Sequence, residues 1–463
     1  MKRLTALATY VLMTSSAIFA AEKPNIIFIL GDDIGQGDLG CYGQQKIKTP
    51  HLDKMAAEGI RFTQAYSGTT VCAPSRTSLM TGLDMGHSPV RANREIAKGQ
   101  GQMPLPEKTV TVAQLLKLQG YATACMGKWG MGMFDTTGSP LKKGFDRFYG
   151  YNCQRHAHDY FPGFLYENDK RIELSENAGG AKKTYADRLI QKEVLSWVEQ
   201  QGTKPFFLFY STTLPHGKYE IDDLGIYAEK KEWAEQAKTF ASMVTRLDQN
   251  IGEVVALLKK MGVDKNTLII FSGDNGAAFD DKSVISKFFN QSMDGKLRGY
   301  KRGMYEGGLR QPAMAYWPGT IPAGRVSDDP WAFWDFLPTC VELAGASYPE
   351  GYKPNGQSLV SFLKGGPAPQ REYFYWELHE GSFKQAVRFV TWKAVRNGAQ
   401  GKIELYDLAT DSAEQNDLSE KQPDKVKQAQ DLMTKARVDD PNWPIKEQKQ
   451  APAKNQKKNK KEI

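Results

Sequence analysis

Three short apolar runs along the chain each break off into a polar loop that carries acidic residues or a histidine. Asn25-Ile26-Ile27-Phe28-Ile29-Leu30 leads into Gly31-Asp32-Asp33. Phe206-Phe207-Leu208-Phe209-Tyr210 leads into Ser211 to His216, and Leu268-Ile269-Ile270-Phe271 into Ser272-Gly273-Asp274-Asn275-Gly276. Unbroken apolar runs of this length predict strands buried on both faces. Between them, Thr111 to Gln119, Tyr185 to Glu199 and Phe240 to Met261 repeat their apolar positions with the period of an amphipathic helix. Strands alternating with helices predict an α/β fold with a large, mostly parallel sheet covered by helices on both faces. In such sheets ligands bind beyond the carboxyl ends of the strands, and all three loops fall there.

The pattern changes after about Gly345. Glu372 to Trp376, Gln385 to Val390, Trp392 to Arg396 and Lys402 to Asp407 read as short strands with close turns, followed by a helix from Asp424 to Ala436. This predicts a smaller antiparallel sheet plus helix, a C-terminal α+β domain over residues 346–445 behind a catalytic domain over residues 22–345. At the other end, Met1-Lys2-Arg3, an apolar stretch from Leu4 to Phe19 and the small residues Ala20 and Ala21 have the form of a secretory signal over residues 1–21. The stretch is short for a membrane span, and no later segment approaches one, so no stable membrane insertion is expected. A periplasmic or secreted protein follows.

Composition adds one correction to a naive reading. The formal net charge is +8, but the tail from Lys446 to Ile463 holds seven Lys and two Glu, and Lys2 and Arg3 sit in the leader. The body of the chain is nearly neutral. Nucleic-acid binding is therefore not indicated, and residues 446–463 read as a basic, disordered tail.

The five cysteines, Cys41, Cys72, Cys125, Cys153 and Cys340, are an odd number for an exported chain, and none has zinc-site spacing. Cys72 opens the string Cys72-Ala73-Pro74-Ser75-Arg76, continuing Thr77-Ser78-Leu79-Met80-Thr81-Gly82. Pro74 suits the first turn of a helix, which places Cys72 at an anion-favouring helix N-terminus with Arg76 one turn on. Residue types alone leave a structural or merely reactive cysteine open. Asp32, Asp33, Asp274 and Asn275 offer only oxygen ligands, which suit calcium or magnesium better than zinc, although such residues are also common in turns. Lys128 in Gly127-Lys128-Trp129, His216 in Leu214-Pro215-His216 and Lys301 in Arg298-Gly299-Tyr300-Lys301-Arg302 add cationic candidates.

Together these strings resemble the type I, formylglycine-dependent sulfatases, whose signature is C-x-P-S-R followed by a T-x-x-x-T-G type run. The resemblance extends over about Lys23 to Ile445. It looks closest to bacterial sulfatases that act on sulfated polysaccharides. It implies an alkaline-phosphatase-like fold and conversion of Cys72 to formylglycine by a sulfatase-maturation enzyme. It also implies a Ca2+ (or Mg2+) site made by Asp32, Asp33, Asp274, Asn275 and the modified residue 72. By the same resemblance, Arg76 supports the nucleophile, while Lys128, His216 and Lys301 grip the sulfate, with His216 or Lys301 protonating the departing alcohol. A sulfated saccharide is the implied substrate, with a 4-sulfate on a galactose-type sugar as one candidate.

One position departs from the family. Its usual run is G-K-W-H-x-G, whereas this chain reads Gly127-Lys128-Trp129-Gly130-Met131-Gly132, so the histidine expected to take a proton from the hydrated aldehyde is missing. His156 or His158, in Gln154-Arg155-His156-Ala157-His158, is a candidate to replace it or to bind sugar. Arg91 and His379 are further candidates for the substrate rim. Two other functions remain open: a phosphate or phosphonate monoester hydrolase of the same superfamily, and a non-catalytic binder of sulfated glycans.

Overall fold

The computed structural model describes residues 23–97, 100–278 and 282–445. The leader over residues 1–21 and the basic tail over residues 446–463 lie outside them. In chain order the first thirteen strands are β1 (Asn25–Gly31), β2 (Ile60–Tyr66), β3 (Glu95–Ala97), β4 (Gln100–Gln102), β5 (Ala122–Lys128), β6 (Arg147–Tyr151), β7 (Phe164–Glu167), β8 (Lys170–Glu173), β9 (Phe206–Ser211), β10 (Thr267–Gly273), β11 (Arg310–Tyr316), β12 (Arg325–Ser327) and β13 (Trp331–Ala332). All but the hairpin β3–β4 join one eleven-stranded sheet in the order β12-β2-β11-β10-β1-β9-β5-β6-β7-β8, with β13 also pairing β2. From β10 through β1, β9 and β5 to β6 the neighbours are parallel. Antiparallel pairings enter at β11 on one side and at β7 on the other.

Strand β1 shows why the central runs are continuous apolar strings. All seven of its residues are buried. The pleat sends Ile27 and Ile29 to one face, and Ile26, Phe28 and Leu30 to the other. The first face is covered by the helices α1 (Pro50–Glu58), α4 (Ala186–Gln201) and α5 (Glu235–Met261). The second is covered by α3 (Val112–Leu118) and the helix Phe336–Ala344. Between them, α2 (Cys72–Thr81) is buried along its whole length. Thr111 caps α3 by accepting from Gln114 N.

The second sheet is antiparallel: β14 (Phe374–Leu378), β15 (Lys384–Phe389), β16 (Trp392–Asn397) and β17 (Ile403–Asp407), in that order. The helix Pro423–Lys435 packs Leu432 and Met433 on one face against Tyr375, Val387 and Leu405. The other face presents Phe374, Trp376 and Leu378 to Tyr66, Val71 and Trp334 of the larger unit. Trp376 also donates its indole N–H to the Ser67 carbonyl at 3.0 Å. Tyr375 and Trp376 are thus core residues, with no exposed ring for a sugar.

Candidate active site

The parallel strands finish in register, Leu30 beside Ser211 and Gly31 beside Gly273, so their following loops meet. Asp32 and Asp33 follow β1, and Asp274 and Asn275 follow β10. Asp33 is held in the left-handed region, φ 62°, a conformation that costs energy for a residue other than glycine and is concentrated at functional sites. Its backbone N–H donates to Asp274 Oδ1 at 3.1 Å, and Asn275 Nδ2 donates to Asp33 Oδ1 at 2.7 Å. Helix α2 delivers Cys72 as its first residue, with the Sγ 3.5 Å from Asp32 Oδ1 and 3.7 Å from Lys301 Nζ. Burial, then the Asp274 carboxylate, push the Cys72 thiol well up, so as a plain thiol it is a poor nucleophile.

Arg76 sits one turn along α2, fully buried. Its Nη2 donates to Asp274 Oδ2 at 2.9 Å and its Nε to the same oxygen at 3.2 Å, while Nη1 donates to the Lys128 carbonyl at 2.8 Å. With Ser211 Oγ as a further partner, its fork is taken up by protein groups. Gly127, in β5, is required by packing: a Cβ there would run into the Ser211 carbonyl, and its φ is 101°.

Two buried ammonium groups, with His216 beside them, answer the carboxylates. Lys128 Nζ donates to Asp32 Oδ2 at 2.6 Å. Lys301 Nζ donates to both oxygens of Asp33, at 2.6 and 2.7 Å, and lies 3.4 Å from His216 Nε2. His216 Nε2 is also 3.4 Å from Asp33 Oδ2. Burial alone would raise the Asp32 carboxyl, but the charges of Lys128, His216, Arg76 and Lys301 hold it well below the usual range. Asp274 goes the other way, raised to about 6 by burial and by the neighbouring Asp32 charge. Burial lowers His216 as well.

This donor set fits a divalent cation. Asp32, Asp33, Cys72 and His216 bring one ligating atom each to within 4.8 Å of one another. Asn275 Oδ1, beside them, is buried with no hydrogen-bond partner, an acceptor that a hard cation would satisfy. Charge agrees. Asp32, Asp33 and Asp274 are balanced by Arg76, Lys128 and Lys301, so the charge of an incoming sulfate ester calls for one more cationic group.

The site opens into a cleft of about 580 Å³ lined by Asp33, Cys72, Gln154, His158, His216 and Lys301, among others. His158 lies on its wall, its ring stacked on His216 with centroids 4.0 Å apart. Burial and the Lys128 charge lower it to about 3, so the ring is neutral. His156 does not share this placement. It stacks on Phe164 at 4.2 Å and packs edge-on to Tyr151, because the short 3-10 turn His156–His158 sends its two imidazoles in different directions.

Arg91 is also misplaced by the sequence reading. It is 2% exposed, and its guanidinium donates to Glu377 Oε1 at 2.6 Å and to the Ser88, Gly86 and Val438 carbonyls. It is a strut for the buried Glu377 carboxylate, not a rim residue. His379 bonds to the same carboxylate at 3.0 Å and lines an adjoining groove rather than the cleft.

At Gly130 the backbone is left-handed, φ 77°, and a Cβ would lie well inside van der Waals contact of Gln154 Cγ. Gln154 thus occupies the space beside the glycine. Its Nε2 donates to Asn93 Oδ1 at 3.1 Å, and Asn93 Oδ1 also accepts from Ala73 N at 3.0 Å, next to Cys72. Gln154 and Arg302, both on the cleft wall, were not singled out from the sequence; Asn93, also on the wall, ends the segment Gly86 to Asn93 that the sequence offers for the rim. A glycine replacing an expected side chain was the one signal pointing to a substitute nearby.

The sulfatase family model matches residues 24–346, and a second model, N-sulphoglucosamine sulphohydrolase, C-terminal, matches residues 298–439. The chain is 31% identical over 396 residues to the N-acetylgalactosamine-6-sulfatase of Canis lupus familiaris, covering 81% of this chain and 72% of that protein. It is 26% identical to the N-acetylgalactosamine-6-O-sulfatase of Bacteroides thetaiotaomicron, covering 89% of this chain and 93% of that protein. The crystal structure of Ps i-CgsB in complex with k-i-k-neocarrahexaose superposes with a TM-score of 0.76 at 29% identity, over 89% of this chain and 92% of that one. The shared architecture is the alkaline-phosphatase-like fold. With the family model spanning the whole large sheet and every loop that meets at Cys72, the chain belongs to the sulfatase family and is a sulfuric ester hydrolase.

Proposed function

We propose that the protein hydrolyses sulfate esters of a sulfated carbohydrate, using formylglycine made from Cys72 by a maturation enzyme. In this reading a divalent cation, calcium first and magnesium second, is held by Asp32, Asp33, Asp274, Asn275 and residue 72. The observation that carries it is the meeting of Cys72, Asp33, His216 and Lys301 in the lining of one cleft, with Asp32 buried directly behind them. A bound cation supplies Lewis-acid polarisation of a sulfate oxygen. Hydrated formylglycine supplies one hydroxyl to take the sulfuryl group and a second to release it.

The chain's own residues do the rest. Lys128 and Lys301 present ammonium groups to the sulfate oxygens. Lys301 or His216, 3.4 Å apart, donates a proton to the bridging oxygen as charge moves onto it. Arg76 acts as a positioning residue, fixing Asp274 and the end of β5. His158, packed on His216, fixes that ring's plane and lies where a sugar hydroxyl can reach it.

The relatives' names make a galacto-configured sugar the first substrate to try, with the 6-sulfate tested beside the 4-sulfate. The reading further takes the protein to be exported, with a catalytic domain over residues 22–345, a smaller domain over 346–445 and a basic tail after it. The test is a panel of defined sulfated saccharides, with aryl sulfate and aryl phosphate compared on the same preparation. Release of sulfate from saccharides, with aryl phosphate turned over more slowly, is the expected result. Preference for the phosphate would overturn it.

A further inference from the structure

The catalytic cleft does not end at its own rim. Asn93, Glu95 and Glu380 line it and also line a second groove of about 620 Å³, so the two hollows adjoin along these three residues. Either volume falls in the range that takes a small organic ligand. The second groove is lined by Trp443 and Phe383 among others, with the Arg94 guanidinium of an exposed side chain 5.7 Å from the Trp443 ring centroid. Nothing in the sulfate-cleaving machinery uses it.

On the cleft side of this boundary stand two arginines, each clamped by one of the shared carboxylates. Arg155 makes a two-pronged pair with Glu95, at 2.9 and 3.0 Å, and Arg302 donates to Glu380 at 2.6 Å. Both arginine side chains remain more than half exposed, at 64% and 54%. Arg302 adds a second observation. Directly after Lys301, it sits in the left-handed region at φ 73°, fixed there by its N–H donating to the Thr70 carbonyl at 3.0 Å and its carbonyl accepting from Lys384 Nζ at 2.9 Å. A long side chain kept in that conformation is strain, and such strain gathers at functional sites.

We propose that the second groove is a binding site for the neighbouring sugar units of the same glycan, and that Arg302 and Arg94 contact an acidic group on them. The substrate class is thereby an acidic oligosaccharide or polysaccharide, not a sulfated monosaccharide. Carboxylates such as Glu95 and Glu380 orient the arginine forks and accept sugar hydroxyls, while the guanidiniums pair with sulfate or carboxylate. This rests on the sulfated-carbohydrate reading above and narrows it.

The test uses the full mature enzyme with two substrates, a sulfated monosaccharide and an acidic oligosaccharide carrying the same ester. The expected result is that Asn442→Trp, which fills the groove, and Arg94→Ala each lower the oligosaccharide-to-monosaccharide ratio of kcat/KM by roughly tenfold, the scale of one or two lost polar contacts. An unchanged ratio overturns the groove, whatever the absolute rates do. A second arm needs no turnover: the oligosaccharide is titrated calorimetrically into Cys72→Ala protein with and without Asn442→Trp. Equal affinity in the two proteins overturns the proposal, and loss of affinity in the blocked protein supports it. If the wild type cleaves no sulfated saccharide at all, the carbohydrate reading has failed, an outcome distinct from cleavage with an unchanged ratio.

Discussion

Gly130 shows how much a single residue can hide. Where the family has a histidine, the glycine's φ of 77° and the crowding of Gln154 against any Cβ mean that restoring the histidine alone is disfavoured twice over. Gly130→His is expected to cost about 1–3 kcal/mol, the scale of overpacking in a well-packed interior, read as a fall in the thermal unfolding midpoint. Adding Gln154→Gly should recover part of that loss, and no recovery would show that the backbone, not the neighbour, is limiting. At the nucleophile's side, Lys301→Ala removes the ammonium that sits on Asp33 and beside Cys72. It is expected to lower kcat by roughly 10²–10⁴-fold, the usual worth of a positioned proton donor. A loss under tenfold on both aryl and sugar sulfates would remove Lys301 from the reaction.

The residues that were legible in the sequence are those in short contiguous strings, such as Cys72 to Arg76 and Asp32-Asp33. Gln154 and Arg302 were not, because the cleft assembles them from separate segments. Arg91 was misread for a different reason: an arginine tied to a buried carboxylate and one that waits for substrate look alike until burial is known.

Among elements, legibility followed side-chain size. Strands β1, β9 and β10 were read because bulky apolar residues fill both faces. Strand β5, Ala-Thr-Ala-Cys-Met-Gly-Lys, lies as deep in the sheet but is built of small and polar residues, so no apolar run announced it. Helix α5 begins at Glu235, five residues before its apolar pattern becomes regular.

Strand β14 runs on to Leu378, past Trp376, with Glu377 paired to Gln385 and Leu378 to Lys384 of β15, and Glu377 is buried in it. That carboxylate receives Arg91 Nη1 at 2.6 Å, Tyr375 OH at 2.6 Å, His379 Nε2 at 3.0 Å and Arg437 Nε at 3.0 Å. Burial pulls its carboxyl up, but the His379 hydrogen bond, the Arg91 charge and the Tyr375 hydroxyl outweigh it and hold it at about 2. A depressed carboxyl stabilises the fold above its unfolded value, near 4.5, and that stability is lost as pH falls from there toward 2. Glu377→Gln is therefore expected to cost about 3–5 kcal/mol at neutral pH, as for a broken buried pair. It should also flatten the fall of the unfolding midpoint between pH 5 and pH 3, measured by calorimetry. An unchanged pH profile would mean that Glu377 does not carry this acid sensitivity.

At the scale of the molecule, the strands converge on a pocket whose charges balance only until a sulfate ester arrives. The overall α/β class and the smaller antiparallel unit were readable from periodicity, and burial was the favoured reading of Trp376, whereas the packing of Trp376 and Phe374 against the large unit was not readable, since a short strand's pattern does not say which partner covers its face. A cation bound only by the folded loops stabilises the fold by mass action, about 2.7 kcal/mol at a hundredfold excess over Kd. Chelation is expected to lower the unfolding midpoint and calcium to restore it; an unfolding midpoint indifferent to both would argue against the oxygen-rich site.

The most direct test joins chemistry to residue 72. Intact-mass analysis of wild-type protein from a host with a maturation enzyme is run beside sulfate release from a galacto-configured saccharide sulfate, with Cys72→Ala as the comparison. The expected result is the mass loss of a thiol turned to an aldehyde at residue 72, with sulfate release in proportion to the modified fraction and none from Cys72→Ala. Full sulfate release by protein that carries an unmodified Cys72, or by Cys72→Ala, would contradict the central claim.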